Sequence, residues 1–174
     1  MKTRGIRTAG ILVVMALVAG CATPATHEAM TVQPTEHAAL NPKLKGAIRV
    51  ESVTGGADTN PLWESKVDND SFKKALEDSL SIAGYLAPGN SDAPYVISAA
   101  LEKLKQPFIG LTFDVTSTVL YKISGNSIKK EYPVTATGTA TMSDAFVGVE
   151  RLRIANEKSI KENIKALLIQ LQNF

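Results

Sequence analysis

The chain has 174 residues, 19 basic, 17 acidic and one cysteine, with 44% apolar and 6% aromatic residues. That length supports one domain, because two units would each fall near the size at which cores become marginal. Charged residues at 21% exclude a disordered chain and a polytopic membrane protein, and a single cysteine excludes an intrachain disulfide, an iron–sulfur cluster and a cysteine-rich zinc module.

Lys2, Arg4 and Arg7 precede an apolar run over residues 9–19. About eleven residues are too few to span a bilayer, which takes roughly twenty. A basic start and a short apolar run predict a secretory signal peptide over residues 1–20. Small residues then lead into the cysteine, Val18-Ala19-Gly20-Cys21. This tetrapeptide resembles the bacterial lipobox, which implies that Cys21 carries acyl chains and becomes the first residue of the mature protein. Multiple acyl chains anchor a protein stably where a single one does not. Ala22 follows where an Asp signals inner-membrane retention, so the resemblance implies an outer-membrane anchor with the domain facing the periplasm. Without Lys2, Arg4 and Arg7 the nineteen basic residues become 16 against 17 acidic, a net of −1. Neither that balance nor any basic run offers an electrostatic footprint for nucleic acid.

Residues 21–43 show no apolar period and carry Pro24, Pro34 and Pro42. They are expected to form a flexible tether with a reach of roughly 25 Å. His27 and His37 both fall in it, with only Glu28 and Glu36 nearby, so no metal site and no cofactor is expected. A single α+β domain is expected over residues 44–174. Ala47, Ile48, Val50 and Val53 mark a first strand over 44–53, ended by Gly55-Gly56. Asp70 is positioned to cap a helix running to about Ala83, with Phe72, Ala75, Leu76, Ser79 and Leu80 on one face. Gly84 suits its C′ position.

From Tyr95 the period changes to two. A strand over 95–104 is followed by one over 111–123, with Leu111, Phe113, Val115, Ser117, Val119, Tyr121 and Ile123 on one side. Gly125-Asn126 suits a hairpin turn. The return strand, 128–142, carries Pro133, which places it at an edge or a bulge. A final helix over 149–172 presents Leu152, Ala155, Ile160, Ile164, Leu167, Leu168 and Leu171 inward, with Arg153, Glu157 and Lys158 outward and Asn156 and Asn163 at the stripe's margin. The expected fold is a two-layer α+β sandwich in the order β-α-β-β-β-α, with a mostly antiparallel sheet and both helices on one face.

Catalytic constellations are missing. No histidine lies in the expected domain, so Ser-His-Asp and Cys-His schemes have no base. No phosphate-binding glycine loop occurs, and Glu77-Asp78 reads as a solvated helix face. The chain is therefore expected not to be an enzyme.

With Cys21, the tether and this element order, the chain resembles the YajG-type envelope lipoproteins. The helix ending in Gly84-Tyr85, the hairpin at Gly125-Asn126 and Phe146 before the last helix carry the likeness. More remotely it is similar to the TolB amino-terminal-domain group, which includes lipoprotein activators of peptidoglycan synthases. The resemblance implies a non-enzymatic binding or accessory role in the envelope, partnered by the membrane through Cys21 and by an envelope protein or component. Carriage of a lipid or small ligand is the alternative, as is a hydrolase or transferase without a recognisable motif.

Strand direction locates the working surface. A crossover helix makes the first two strands parallel, so loops 54–69, 105–110 and 143–148 are expected to converge at one sheet edge. They carry Leu62 and Trp63, Phe108 and Ile109, and Phe146 and Val147. These residues either cap the core beneath the helix ends or form a hydrophobic partner site, since clustered exposed apolar groups mark interaction surfaces.

Overall fold

The computed structural model describes residues 22–36, 39–60, 64–90 and 92–174. Cys21, His37, Leu62 and Trp63 lie outside them. The elements are a short helix α1 (His27–Met30), β1 (Ile48–Thr54), α2 (Asn69–Ile82), β2 (Tyr95–Lys105), β3 (Phe113–Gly125), β4 (Ile128–Ala140) and α3 (Gly148–Leu171). The sheet order is β1-β2-β3-β4, with β1 parallel to β2 and the other pairs antiparallel. One core joins Phe72, Leu76 and Leu80 of α2 and Ile160, Ile164 and Leu168 of α3 to Val50, Ile97, Val119 and Tyr121 of the sheet. Both helices thus cover one sheet face, as the alternating pattern demands. The other face exposes threonines, among them the paired Thr116–Thr137 and Thr118–Thr135.

The details show why the elements stop where they do. β1 starts at Ile48, and a bulge between Val50 and Ser52 lets Val50 and Val53, three apart, both face the core. Asp68, rather than Asp70, caps α2: its Oδ1 accepts the Ser71 amide at 2.7 Å. α2 ends in a Schellman arrangement, with Tyr85 N–H on the Leu80 carbonyl, Gly84 N–H on that of Ser81, and Gly84 at φ 78°. The hairpin turn is Asn126-Ser127, both at positive φ, as a type I′ turn requires. Gly125 is needed for another reason: a Cβ there would sit 1.9 Å from the Pro94 carbonyl oxygen. β4 is an edge strand, so Pro133 leaves no ladder bond unmade. At Gly138 the α3 backbone rests directly on β4, where a Cβ would meet the Ser159 nitrogen at 2.1 Å.

The margin residues of α3 find their partners inside. Asn163 Nδ2 donates to the Val134 carbonyl at 3.1 Å and to Ser117, and its Oδ1 accepts the Tyr121 hydroxyl at 3.0 Å. Asn156 donates to the Ser65 carbonyl at 2.9 Å. Satisfied in this way, a buried polar group specifies register instead of costing stability.

The largest correction concerns the expected tether. From Ala22 onward the described residues pack against the domain as a strap. Ala25, Met30 and Val32 are buried in the main core, and α1 touches both α2 and α3. Val32 N–H donates to Ser79 Oγ at 3.0 Å, Thr26 N–H to Glu157 at 2.9 Å, and Asn41 Nδ2 to the last carbonyls of α3. Glu157, expected in solvent, is therefore buried beneath the strap. His27 faces Asp78 of α2 at 3.8 Å. The strap has no period because it makes no ladder; side chains distant in sequence satisfy its backbone.

Candidate docking surface

The edge where β2 and β4 end and β3 and α3 begin is bounded by loops 106–112 and 141–147. Both are short, irregular and rich in apolar residues. Expected to lie inward at the head of the long strand, Leu111 instead precedes its first residue, Phe113, and is 72% exposed. Met142 lies beyond the end of β4 and is partly exposed. Phe108 is 101% exposed, Ile109 92%, Phe146 82% and Val147 48%. These side chains do not cap the core. Beneath them Phe113, Val115, Ala140, Leu152 and Ala155 form a small core of their own.

Arg151 holds the two loops together. It lies in the first turn of α3 and is only 5% exposed. Its Nη1 donates to the carbonyls of Ala145 at 2.9 Å and Phe146 at 2.8 Å, and its Nη2 to that of Gly110 at 3.1 Å. The guanidinium lies 5.1 Å from the centre of the Phe113 ring, which adds a cation–π contact. The forked geometry of arginine allows one side chain to bridge carbonyls from both loops, which a lysine cannot do. Arg151 was not among the residues expected at this edge. A signal was nonetheless present: a cation in the first turn of a helix opposes the helix dipole and needs another reason to be there.

Asp144 stiffens the second loop. Its Oδ2 accepts the Thr141 amide at 2.8 Å and the Thr141 hydroxyl at 3.0 Å, while Oδ1 meets Lys158 at 2.7 Å. The Lys158 contact, with the two bonds from Thr141, draws its carboxyl down to about 2. Ordered backbone therefore presents these apolar side chains.

Beside Phe108 a cavity of about 500 Å³ opens at the same edge, floored by Leu104, Phe113 and Leu152 and rimmed by Glu64 and Gln106. The Gln106 amide is already engaged, donating to the Ser65 carbonyl at 2.9 Å and to Asn156 Oδ1 at 2.8 Å. Glu64 brings the third expected loop, 54–69, to this edge. Among the described residues no group of three or more His, Cys, Asp and Glu is placed to hold a metal ion, and no helix is long and apolar enough to cross a membrane.

The fold and this edge together define a two-layer α+β sandwich that presents an apolar loop surface at one end. No family model matches the chain, and no curated protein does. Among solved structures, a Xanthomonas campestris protein of family DUF330 is 13% identical, with a TM-score of 0.48 over 82% of this chain and 97% of its own. A hypothetical protein from Chlamydia trachomatis is 11% identical, with a TM-score of 0.45 over 73% of this chain and 93% of its own. A further uncharacterised protein is 10% identical, with a TM-score of 0.50 over 77% of this chain and 94% of its own. The structural neighbours are uncharacterised bacterial proteins, and at these identities the likeness concerns the fold alone.

Proposed function

We propose that the chain is a bacterial envelope lipoprotein of YajG type, anchored to the outer membrane through acyl chains on Cys21. It acts in the periplasm as a non-enzymatic binding or accessory component. The observation that carries this reading is the loop edge itself. Four large apolar side chains, Phe108, Ile109, Leu111 and Phe146, stand in solvent on backbone that Arg151 ties down. Clustered exposed apolar groups on ordered loops mark interaction surfaces. The basic start, the short apolar run and Val18-Ala19-Gly20-Cys21 support the address.

Acyl labelling in a bacterial host tests the address: the native chain takes up label and Cys21→Ser does not. A photo-crosslinker at position 108 tests the surface. A dominant adduct with an envelope component supports the reading, and labelling no greater than at Thr137 on the open sheet face overturns it. Carriage of a small apolar ligand is a second reading, favoured by the cavity, whose size falls in the range of small-molecule sites. It requires an apolar fluorophore to bind at the cavity and to be excluded by Leu104→Trp.

A further inference from the structure

The docked strap determines which surface lies beside Cys21. Asn41 caps the C-terminal end of α3 through the carbonyls of Leu171 and Gln172, Glu36 meets Lys161, and Thr26 meets Glu157. The strap therefore runs parallel to α3, and its upstream end points to the N-terminal end of that helix, where Phe146 and Val147 stand. From Glu157 back to Gly148 is nine residues, or about 14 Å of helix. From Thr26 back to Cys21 is five residues, a reach of at most about 17 Å. The last part of that path is pinned: Ala25 N–H donates to the Lys66 carbonyl at 3.1 Å, Ser65 Oγ donates to the Thr23 carbonyl at 2.8 Å, and Ala22 is buried. Ser65 is also the residue that Gln106, at the base of the Phe108 loop, holds by its carbonyl. Residue 22 thus lies at the loop edge and not at the hairpin end.

Two consequences follow for an acylated Cys21. With no slack between residue 22 and the body, the bilayer lies against the surface around Ala22 and not at the end of a long tether. That surface is also suited to lipid. Three carboxylates near the loops each hold a cation, Asp144 with Lys158, Glu150 with Arg153, and Glu64 with Lys66, while Asp114 accepts the Thr139 hydroxyl at 2.6 Å. Exposed aromatic and aliphatic tips on such a rim are the side chains that bury in a membrane interface.

We propose that Phe108, Ile109, Leu111 and Phe146 insert into the lipid surface on which Cys21 is anchored. Anchor and loops together then hold the molecule in one orientation, with the hairpin at 125–128 pointing away from the bilayer. This deepens the reading above and rests on its lipidated Cys21.

The test uses the full acylated chain in vesicles of phosphatidylethanolamine and phosphatidylglycerol. Because Cys21 is consumed by its thioether, Ile109→Cys and Lys129→Cys each supply one thiol for an environment-sensitive fluorophore. Both positions are exposed, so neither substitution disturbs the core. The expected result is a blue-shifted label at 109, quenched by spin-labelled lipid several-fold more than the label at 129. The double substitution Phe108→Asp with Phe146→Asp keeps the protein on vesicles through Cys21 but returns the 109 label to water. A vesicle-bound protein whose 109 label is as wet as its 129 label overturns the insertion while leaving the anchor intact. So does a 109 label shielded only after envelope proteins are added, which assigns the edge to a protein partner. Failure to float with vesicles at all removes the Cys21 anchor, and the insertion with it.

Discussion

Arg151 and the aromatics it presents have opposite stability signatures. Truncating Arg151 to Ala strands the carbonyls of Gly110, Ala145 and Phe146 at a protected site and should cost about 2–4 kcal/mol. Hydrogen exchange should rise in loops 106–112 and 141–147 before it rises elsewhere. Phe108→Ala and Phe146→Ala, by contrast, remove fully wet side chains and should change stability by less than about 0.5 kcal/mol in urea unfolding, while weakening docking. Asp144 makes a pH prediction. Its folded-state value is depressed to about 2, so its contribution is whole above the ordinary carboxylate range and is lost as pH falls through about 2. A carboxyl NMR titration should give that midpoint, and in Lys158→Ala it should rise toward the ordinary value of 3.8.

At the scale of elements, the strap is the part that reading the chain in order misplaced. Helices and long strands announce themselves by repetition: Phe72, Leu76 and Leu80 recur at helical spacing, and Val115 through Ile123 alternate without a break. The strap contributes Met30 and Val32 once each to a groove formed by α2 and α3, and a single insertion has no period. Met30→Ala should therefore cost about 2–4 kcal/mol and release the strap to proteolysis, whereas a free tether would tolerate it without change. Gly138 makes the matching point for α3 on β4. Ala at this position pushes helix and sheet apart and should cost about 3 kcal/mol, although alanine is otherwise harmless in a strand.

For the molecule as a whole, charge and topology set the terms of association. Over residues 21–174 the chain is close to neutral at −1 and has no basic run, so the docking proposed for the loop edge depends on apolar burial. Raising salt should leave association almost unchanged, because screening weakens contacts between exposed charges and not apolar ones. A steep loss of binding with salt would assign the attraction to some other surface. The mixed sheet brings three loops to one edge and the hairpin to the other. This polarity gives the molecule a near end and a far end relative to whatever it docks on.

Sequence by itself determined the four strands and two long helices, the one-sided sheet and the edge at which the apolar loops gather, because periodicity and strand direction are local properties. The same local reading placed Phe108, Ile109 and Phe146 in loops without deciding whether they pack inward. Only the tertiary structure decided three things: that those side chains stand in solvent, that Arg151 fastens their backbone, and that residues 22–44 fold onto the helices. The physical reason is the same in each case. These outcomes depend on partners 41 to 131 residues away, such as Gly110 for Arg151, Ser79 for Val32 and Glu157 for Thr26, and contacts at that separation leave no mark on the pattern of neighbouring residues.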